Sequence, residues 1–365
     1  MKKQHFFSLI FLYAIAVFYL ASTTPISSHE ANIYYNTSNI VSTLMHWGED
    51  LLGGFAEGFL GLRLFFIFFG FISLILFYKL SRQHFIRESD AYLSTTIFMI
   101  LPGILTAVTL ANIAIIVLVV VLLFVLLYEN EKRLLLPFLM LALFFIHEAS
   151  IIFFVALLLY GIVHKDKKLA IGSLAFLTAF IYLAKGISIG GRPSGHFVEI
   201  FGLYATVFSP LLFLYFFYAM YRILLREKKT LLWYISFTAL AFSLLLSVRQ
   251  RVYITDFAPY VMISVVLMLD TLNHSVRVRL PEFQKRYKQG FYIVIGFLIL
   301  TAIVMISHKA TYYALGTSNK HFAKRIYEPY ELAKILKSKG IKCFDTTSER
   351  ERLQLRYYNI LSCSK

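Results

Sequence analysis

The sequence predicts an all-α polytopic membrane protein with about eleven transmembrane helices and a small α/β appendage at its C-terminal end. Composition points there first: of 365 residues 59% are hydrophobic and 15% are charged, against about 25% charged in a typical soluble domain. Apolar runs close to the roughly 20 residues that cross a bilayer then recur along the chain. The charge that remains, 36 Lys and Arg against 20 Asp and Glu for a net +16, lies mostly in short loops between those runs. Such loops put basic residues on the cytoplasmic side and against anionic lipid. Scattered in this way, they form no continuous basic face for nucleic acid.

The first run, about 5–22, follows Lys2 and Lys3 and reads as an uncleaved signal-anchor helix. The second, about 59–79, ends at Lys79, Arg82 and Arg87. The third, about 91–109, carries Pro102 and Gly103 as a kink, and the fourth, about 112–129, ends at Glu131, Lys132 and Arg133. Residues 134–163 are apolar apart from His147 and Glu148 at their middle, with basic clusters at both ends. Both clusters fall inside if this run is two short helices turning at His147 and Glu148 on the outer side. A single long tilted helix is the alternative, and it inverts everything downstream. Runs at about 168–185, 203–222, 231–248, 253–270 and 290–307 complete the count, with the N-terminus inside and the C-terminus outside.

Residues 308–365 change character: they are mixed and charged. YEPYELAKILKSKG predicts a helix with Ala333, Ile335 and Leu336 on its apolar face and Gly340 at its C-terminal end. IKCFD and NILSC read as short strands, and SERERLQLRYY between them as a helix or turn. Cys343 and Cys363 are the two cysteines of the chain, and on the outer side they can form a disulfide.

Between the first two runs lies a polar, aromatic loop, about 23–58, with the carboxylates Glu30, Glu49, Asp50 and Glu57. His29 and Glu30 open a segment with apolar or aromatic residues at 31, 34, 35, 40, 41 and 44, a spacing that suits a helix lying in the interface. Glu30 there either favours the helix N-terminus, with Ser27 or Ser28 as cap, or sits at the water–lipid boundary and takes a proton from an acceptor hydroxyl or amine. Glu49 and Asp50 read as a solvated turn or as a second carboxylate or metal ligand. Arg63 either snorkels, holds a phosphate, or pairs with the loop acids. Arg249 and Arg251 on a short outer turn depart from the positive-inside trend and suit phosphate oxygens. A salt bridge from Arg251 to Asp256 or to the first-loop acids is the alternative. Tyr253 follows, and Lys185, Arg192 and His196 of the preceding outer loop can join the same patch. The chain has no GxGxxG, P-loop or HExxH motif and no cysteine-based metal spacing, which leaves nucleotide-driven chemistry unsupported.

Four places resemble the GT-C superfamily of polytopic glycosyltransferases, in the branch of aminoarabinose transferases and protein O-mannosyltransferases (glycosyltransferase family 39-like). HEANIYY resembles the acidic-aromatic motif of the first outer loop, with His29 in place of its first acid and Glu30 as the aligned carboxylate. GLRLFFIFFGFISLILFYKLSR, SVRQRVYITDFAPYVMI and YELAKILKSKGIKCFDTTSERERLQLRYYNI resemble the second helix, a late helix and the outer tail. Where the family often carries an Asp before the fourth helix, this chain has Asn112. Either the acid role has moved to Glu49, Asp50 or Glu148, or catalysis is altered or lost.

The resemblance implies a bacterial inner-membrane enzyme that moves a sugar from a polyprenyl-phosphate donor to a lipid, glycan or protein acceptor on the periplasmic face. It implies a membrane domain over 1–307 and a periplasmic segment over 308–365. Glu30, with Glu49 and Asp50, would supply the catalytic carboxylates. His29, Tyr34, Tyr35, Arg63, His147, Glu148, Arg192, Arg249, Arg251 and Tyr253 would bind substrate, with Arg249, Arg251 or a divalent metal neutralising the leaving phosphate. The rival classes are a polysaccharide polymerase or ligase, which joins lipid-linked sugars at the same face, and a non-catalytic transporter or scaffold. A transporter should show internal repeats or charges deep in its helices, and the runs show neither.

Overall fold

The computed structural model describes residues 3–36, 39–53, 58–183, 196–314 and 321–363. Among them the regular structure is helical, and four helices are long and apolar enough to cross a membrane: Lys3–Thr23, Leu60–His84, Leu231–Arg249 and Pro281–Ile306. Two bent pairs raise that number to six. Glu88–Met99 and Pro102–Thr109 meet at 61°, and Phe197–Phe208 and Pro210–Arg226 at 106°. The expected count of about eleven is not reproduced by helix length, and the reason is local. Pro102 and Pro210 stand at the first position of their helices, where a missing N–H is harmless and a preceding helix must end. The expected span at 253–270 is similarly divided, into Ala258–Met262 and Val265–Arg277.

The run 134–163 is interrupted where its two polar residues stand. Helices Leu136–Ile146 and Ile151–Val163 are separated by a short 3-10 turn, Glu148–Ser150, and His147 adopts extended backbone. An 11-residue helix rises about 16 Å, half of a bilayer core.

The chain forms two compact units. One contains residues 12–68, 107–112 and 303–365; the other contains 1–11, 69–106 and 113–302. The tail thus shares a unit with the loop that follows the first helix. Its main helix, Lys324–Ser338, buries Ala333 and Leu336 while leaving Ile335 half exposed. The helix ends in a Schellman turn. Gly340 has φ +70, and the N–H groups of Gly340 and Ile341 donate to the carbonyls of Lys337 and Leu336. Ser348 caps the second tail helix, Glu349–Tyr357. The two segments read as strands meet in a single parallel bridge, Cys343 with Leu361, and form no strand among the described residues. The α/β description of the tail is corrected accordingly: two residues of pairing satisfy the backbone, and a disulfide fixes the rest.

That disulfide joins Cys343 and Cys363, 20 residues apart. In the chain-entropy account a loop of this length contributes about 3 kcal/mol. Cys343→Ser is expected to lower the stability of the tail by about that amount, read as early proteolysis of 341–363. Equal protease resistance of the variant and the native chain would count against it.

Candidate active site

The loop between the first two long helices is built around two carboxylates with opposite environments. Glu30 lies in the helix Ser28–Tyr34, which starts with a capping box: Ser27 Oγ accepts from the Glu30 N–H and Glu30 Oε2 accepts from the Ser27 N–H. The same carboxylate meets Arg63. Nε of Arg63 donates to Oε1 at 2.8 Å and Nη2 donates to Oε2 at 2.8 Å. The backbone N–H of Ala111 adds a bond to Oε1 at 2.9 Å. Four donors therefore fill the roughly four lone-pair sites of a carboxylate, and Glu30 is fully buried. Burial pushes its carboxyl up, but the Arg63 charge and the three surrounding donor groups outweigh it and hold it below the ordinary 4.5.

Arg63 is saturated too. Its remaining donors go to the carbonyls of Ala21, Thr24 and Pro25 at 3.0, 2.8 and 3.1 Å. All five N–H groups of the guanidinium are used, with no exposed surface. Of the roles expected for Arg63, pairing with a loop acid is the one the geometry shows; snorkelling and phosphate holding are not possible for a buried, fully bonded side chain. Glu30 likewise has no lone pair left for an acceptor. The cap role expected for it is present, and the ion pair adds a lock between the loop and the helix Leu60–His84.

Glu49 is the contrast. It lies on the helix Ile40–Leu52, whose N-cap is Asn39. Oε2 accepts from Tyr34 Oη at 2.6 Å and Oε1 from Tyr357 Oη at 2.8 Å. Each oxygen keeps one lone pair, and the residue is only partly buried. Burial, then the neighbouring Glu49, raises the hydroxyl pKa of Tyr34 and of Tyr357, so both remain donors. His46 stacks on Tyr34 with ring centres 4.1 Å apart and places Nε2 3.1 Å from the Tyr34 carbonyl. Tyr35 lies under the Arg356 guanidinium at 4.3 Å. Backbone approach sets the position of this helix: a Cβ on Gly48 would stand 2.2 Å from the Gly61 carbonyl oxygen. His29 and Asp50 are exposed. Glu57 lies outside the described residues.

The other unit carries the second group. Arg251 Nε donates to Glu199 Oε1 at 2.9 Å, and His196 Nδ1 is 3.0 Å from Glu199 Oε2. The expected partner Asp256 is instead 3.3 Å from His147 Nε2. The alternative of an Arg251–Asp256 bridge is thereby corrected: Glu199, on the helix Phe197–Phe208, takes the arginine and leaves Asp256 to the histidine. Arg249, Tyr253 and Glu148 are exposed. Lys185 and Arg192 lie outside the described residues. No three His, Cys, Asp or Glu side chains converge on a metal-sized site among the described residues.

Both units together make up a chain whose path has a solved counterpart. The fold is similar to that of ArnT from Cupriavidus metallidurans. Its crystal structure in the apo state aligns with 95% of this chain and 83% of its own, at a TM-score of 0.55 and 12% identity. Identity this low shows the fold alone: the fold is ArnT-like. No protein-family model and no curated protein matches the sequence.

Sequence reasoning missed Glu199, Tyr357 and the Ala111 amide. Glu199 had a signal, since His196 and Glu199 are three apart on one helix face. Tyr357 had none: it is 308 residues from the carboxylate it holds.

Proposed function

We propose that the chain is a membrane glycosyltransferase of the bacterial inner membrane. It moves a sugar from a polyprenyl-phosphate donor to a lipid, glycan or protein acceptor on the periplasmic face. The observation that carries this reading is the ArnT-like fold over 95% of the chain, joined to a partly buried, tyrosine-held carboxylate in the first outer loop. Glu49 is the base in this account, with Asp50 beside it. It takes the proton of the acceptor hydroxyl or amine as that atom attacks the anomeric carbon. The carbon–oxygen bond to the phosphate breaks, configuration inverts, and the polyprenyl phosphate leaves. Tyr34, Tyr35 and His29 line the acceptor side. Glu30 and Arg63 position the loop. Arg249, Arg251 and Tyr253 are assigned to the donor phosphate, and His147, Glu148 and Arg192 to substrate binding.

The test is transfer of a labelled sugar from polyprenyl phosphate in membranes containing the chain, followed by fractionation into lipid, glycan and protein. Label in one fraction supports the reading and names the acceptor class. Label that lengthens a glycan chain processively favours a polymerase, and label that never leaves the donor favours a non-catalytic scaffold.

Membrane orientation belongs to the same proposal. Gln354 donates to the Ile26 carbonyl at 2.9 Å and the Ile26 N–H donates to Tyr358 Oη at 3.3 Å. These contacts support the tail and the first loop lying on one side, hence an even number of crossings between them. The division into a membrane part, 1–307, and an outer segment, 308–365, rests on that parity. Reporter fusions are expected to read cytoplasmic at Asn130 and periplasmic at Glu148 and Lys365. A cytoplasmic reading at Lys365 would sink the orientation.

A further inference from the structure

A pocket of about 430 Å³ opens between the end of helix Pro210–Arg226 and the end of helix Val265–Arg277. Tyr218, Tyr221, Arg222, Arg226, Ser275 and Arg279 line it together with the apolar Leu225 and Val278. The three arginines are not equivalent. Arg222 is already engaged, bonded to Ser275 Oγ and 3.2 Å from the Glu227 carboxylate. Arg226 and Arg279 have no carboxylate partner among the described residues, and Arg279 stands 3.4 Å over the Tyr287 ring, which fixes its direction. The pocket therefore carries about two uncompensated positive charges. Below it the same helix presents a continuous outward stripe. Leu214, Phe217, Tyr218, Tyr221 and Leu225, at positions i, i+3, i+4, i+7 and i+11, are 63, 42, 42, 55 and 59% exposed, and Val278 is 74% exposed. Two free arginines at the head of an apolar track is the shape of an amphiphile with an anionic head.

We propose that this pocket binds the phosphodiester headgroup of an anionic phospholipid, with an acyl chain lying along the Leu214–Leu225 stripe. Arg226 and Arg279 hold the phosphate oxygens and the Tyr221 hydroxyl is a further donor. A zwitterionic lipid brings its own cation to the same place and gains little from the surplus charge. Free phosphate has the charge but no use for the stripe. The site is independent of the transferase reading.

The full chain in detergent, titrated with phosphatidylglycerol, phosphatidylcholine and inorganic phosphate while its thermal unfolding is followed, separates these ligands. Phosphatidylglycerol is expected to raise the unfolding midpoint, with the other two having little effect. R226Q removes an exposed side chain at the end of its helix and should leave the lipid-free midpoint in place. It should require about fivefold more phosphatidylglycerol for the same shift, and R226Q/R279Q about 25-fold more. Equal shifts with phosphatidylcholine, a full shift with inorganic phosphate alone, or an unchanged phosphatidylglycerol requirement in R226Q would each overturn the assignment.

Discussion

Arg63→Ala is expected to destabilise the first-loop unit by about 3–5 kcal/mol, the usual consequence of leaving a buried charge without its partner. The substitution strips Glu30 of two of its four donors and leaves the carbonyls of Ala21, Thr24 and Pro25 without the bonds they now receive. Arg63→Lys should rescue little, because an ammonium has three donors and no fork to span a carboxylate and three carbonyls at once. Unfolding midpoints of the purified chain check this. A change within about 1 kcal/mol, typical of an exposed pair, would show that the pair is not buried as found. The pair also sets an acid limit. A carboxylate whose folded pKa lies below its unfolded value adds stability that is present above that unfolded value, and the stability is lost as pH falls through the folded one. Native stability should therefore fall with acidification below about pH 4.5, and Arg63→Ala should be less sensitive there.

Glu49→Gln is expected to fold normally and to lose 100- to 10,000-fold in transfer, the usual range for a missing general base, or about 3–5 kcal/mol of barrier. Folding should survive because both of the contacts to Glu49 are tyrosine hydroxyls, and a hydroxyl can accept from an amide as readily as it donates to a carboxylate. Tyr357→Phe should give a smaller loss, since Tyr34 still holds one oxygen.

Glu30→Gln makes a useful contrast with Glu49→Gln. All four partners of Glu30 are N–H donors, so an amide NH2 in either orientation faces a donor. The substitution that looks conservative in sequence is expected to act on stability.

The membrane class of the chain was legible because it depends on composition and run length, which need no tertiary information. The division at His147 was legible for the same reason: an apolar run with two polar residues at its middle breaks where they stand. The bends at Pro102 and Pro210 were half legible. Proline marks where a helix starts, but whether the two halves cross the membrane separately depends on what packs against them. Within the candidate site, sequence identified Glu30 and Arg63 as a possible pair without fixing which of three roles Arg63 takes. Burial decided that, and burial comes from Ala111 and from carbonyls at 21, 24 and 25, contacts no local pattern encodes. In sequence Glu49 reads equally as a solvated turn, a second catalytic carboxylate or a metal ligand. Its environment comes from Tyr357, on a tail helix that no spacing rule connects to the first loop.

The most direct measurement is the initial rate of sugar transfer from a labelled polyprenyl-phosphate donor by Glu49→Gln and Glu30→Gln, compared per folded molecule with the native chain. The account predicts that Glu49→Gln is present at native levels and nearly inactive. Glu30→Gln should be depleted or heat-labile, yet within about tenfold of native for the molecules that remain folded, because it positions the loop and does not accept the proton. Native transfer by Glu49→Gln, with activity lost in well-folded Glu30→Gln, would contradict it and return the base to Glu30.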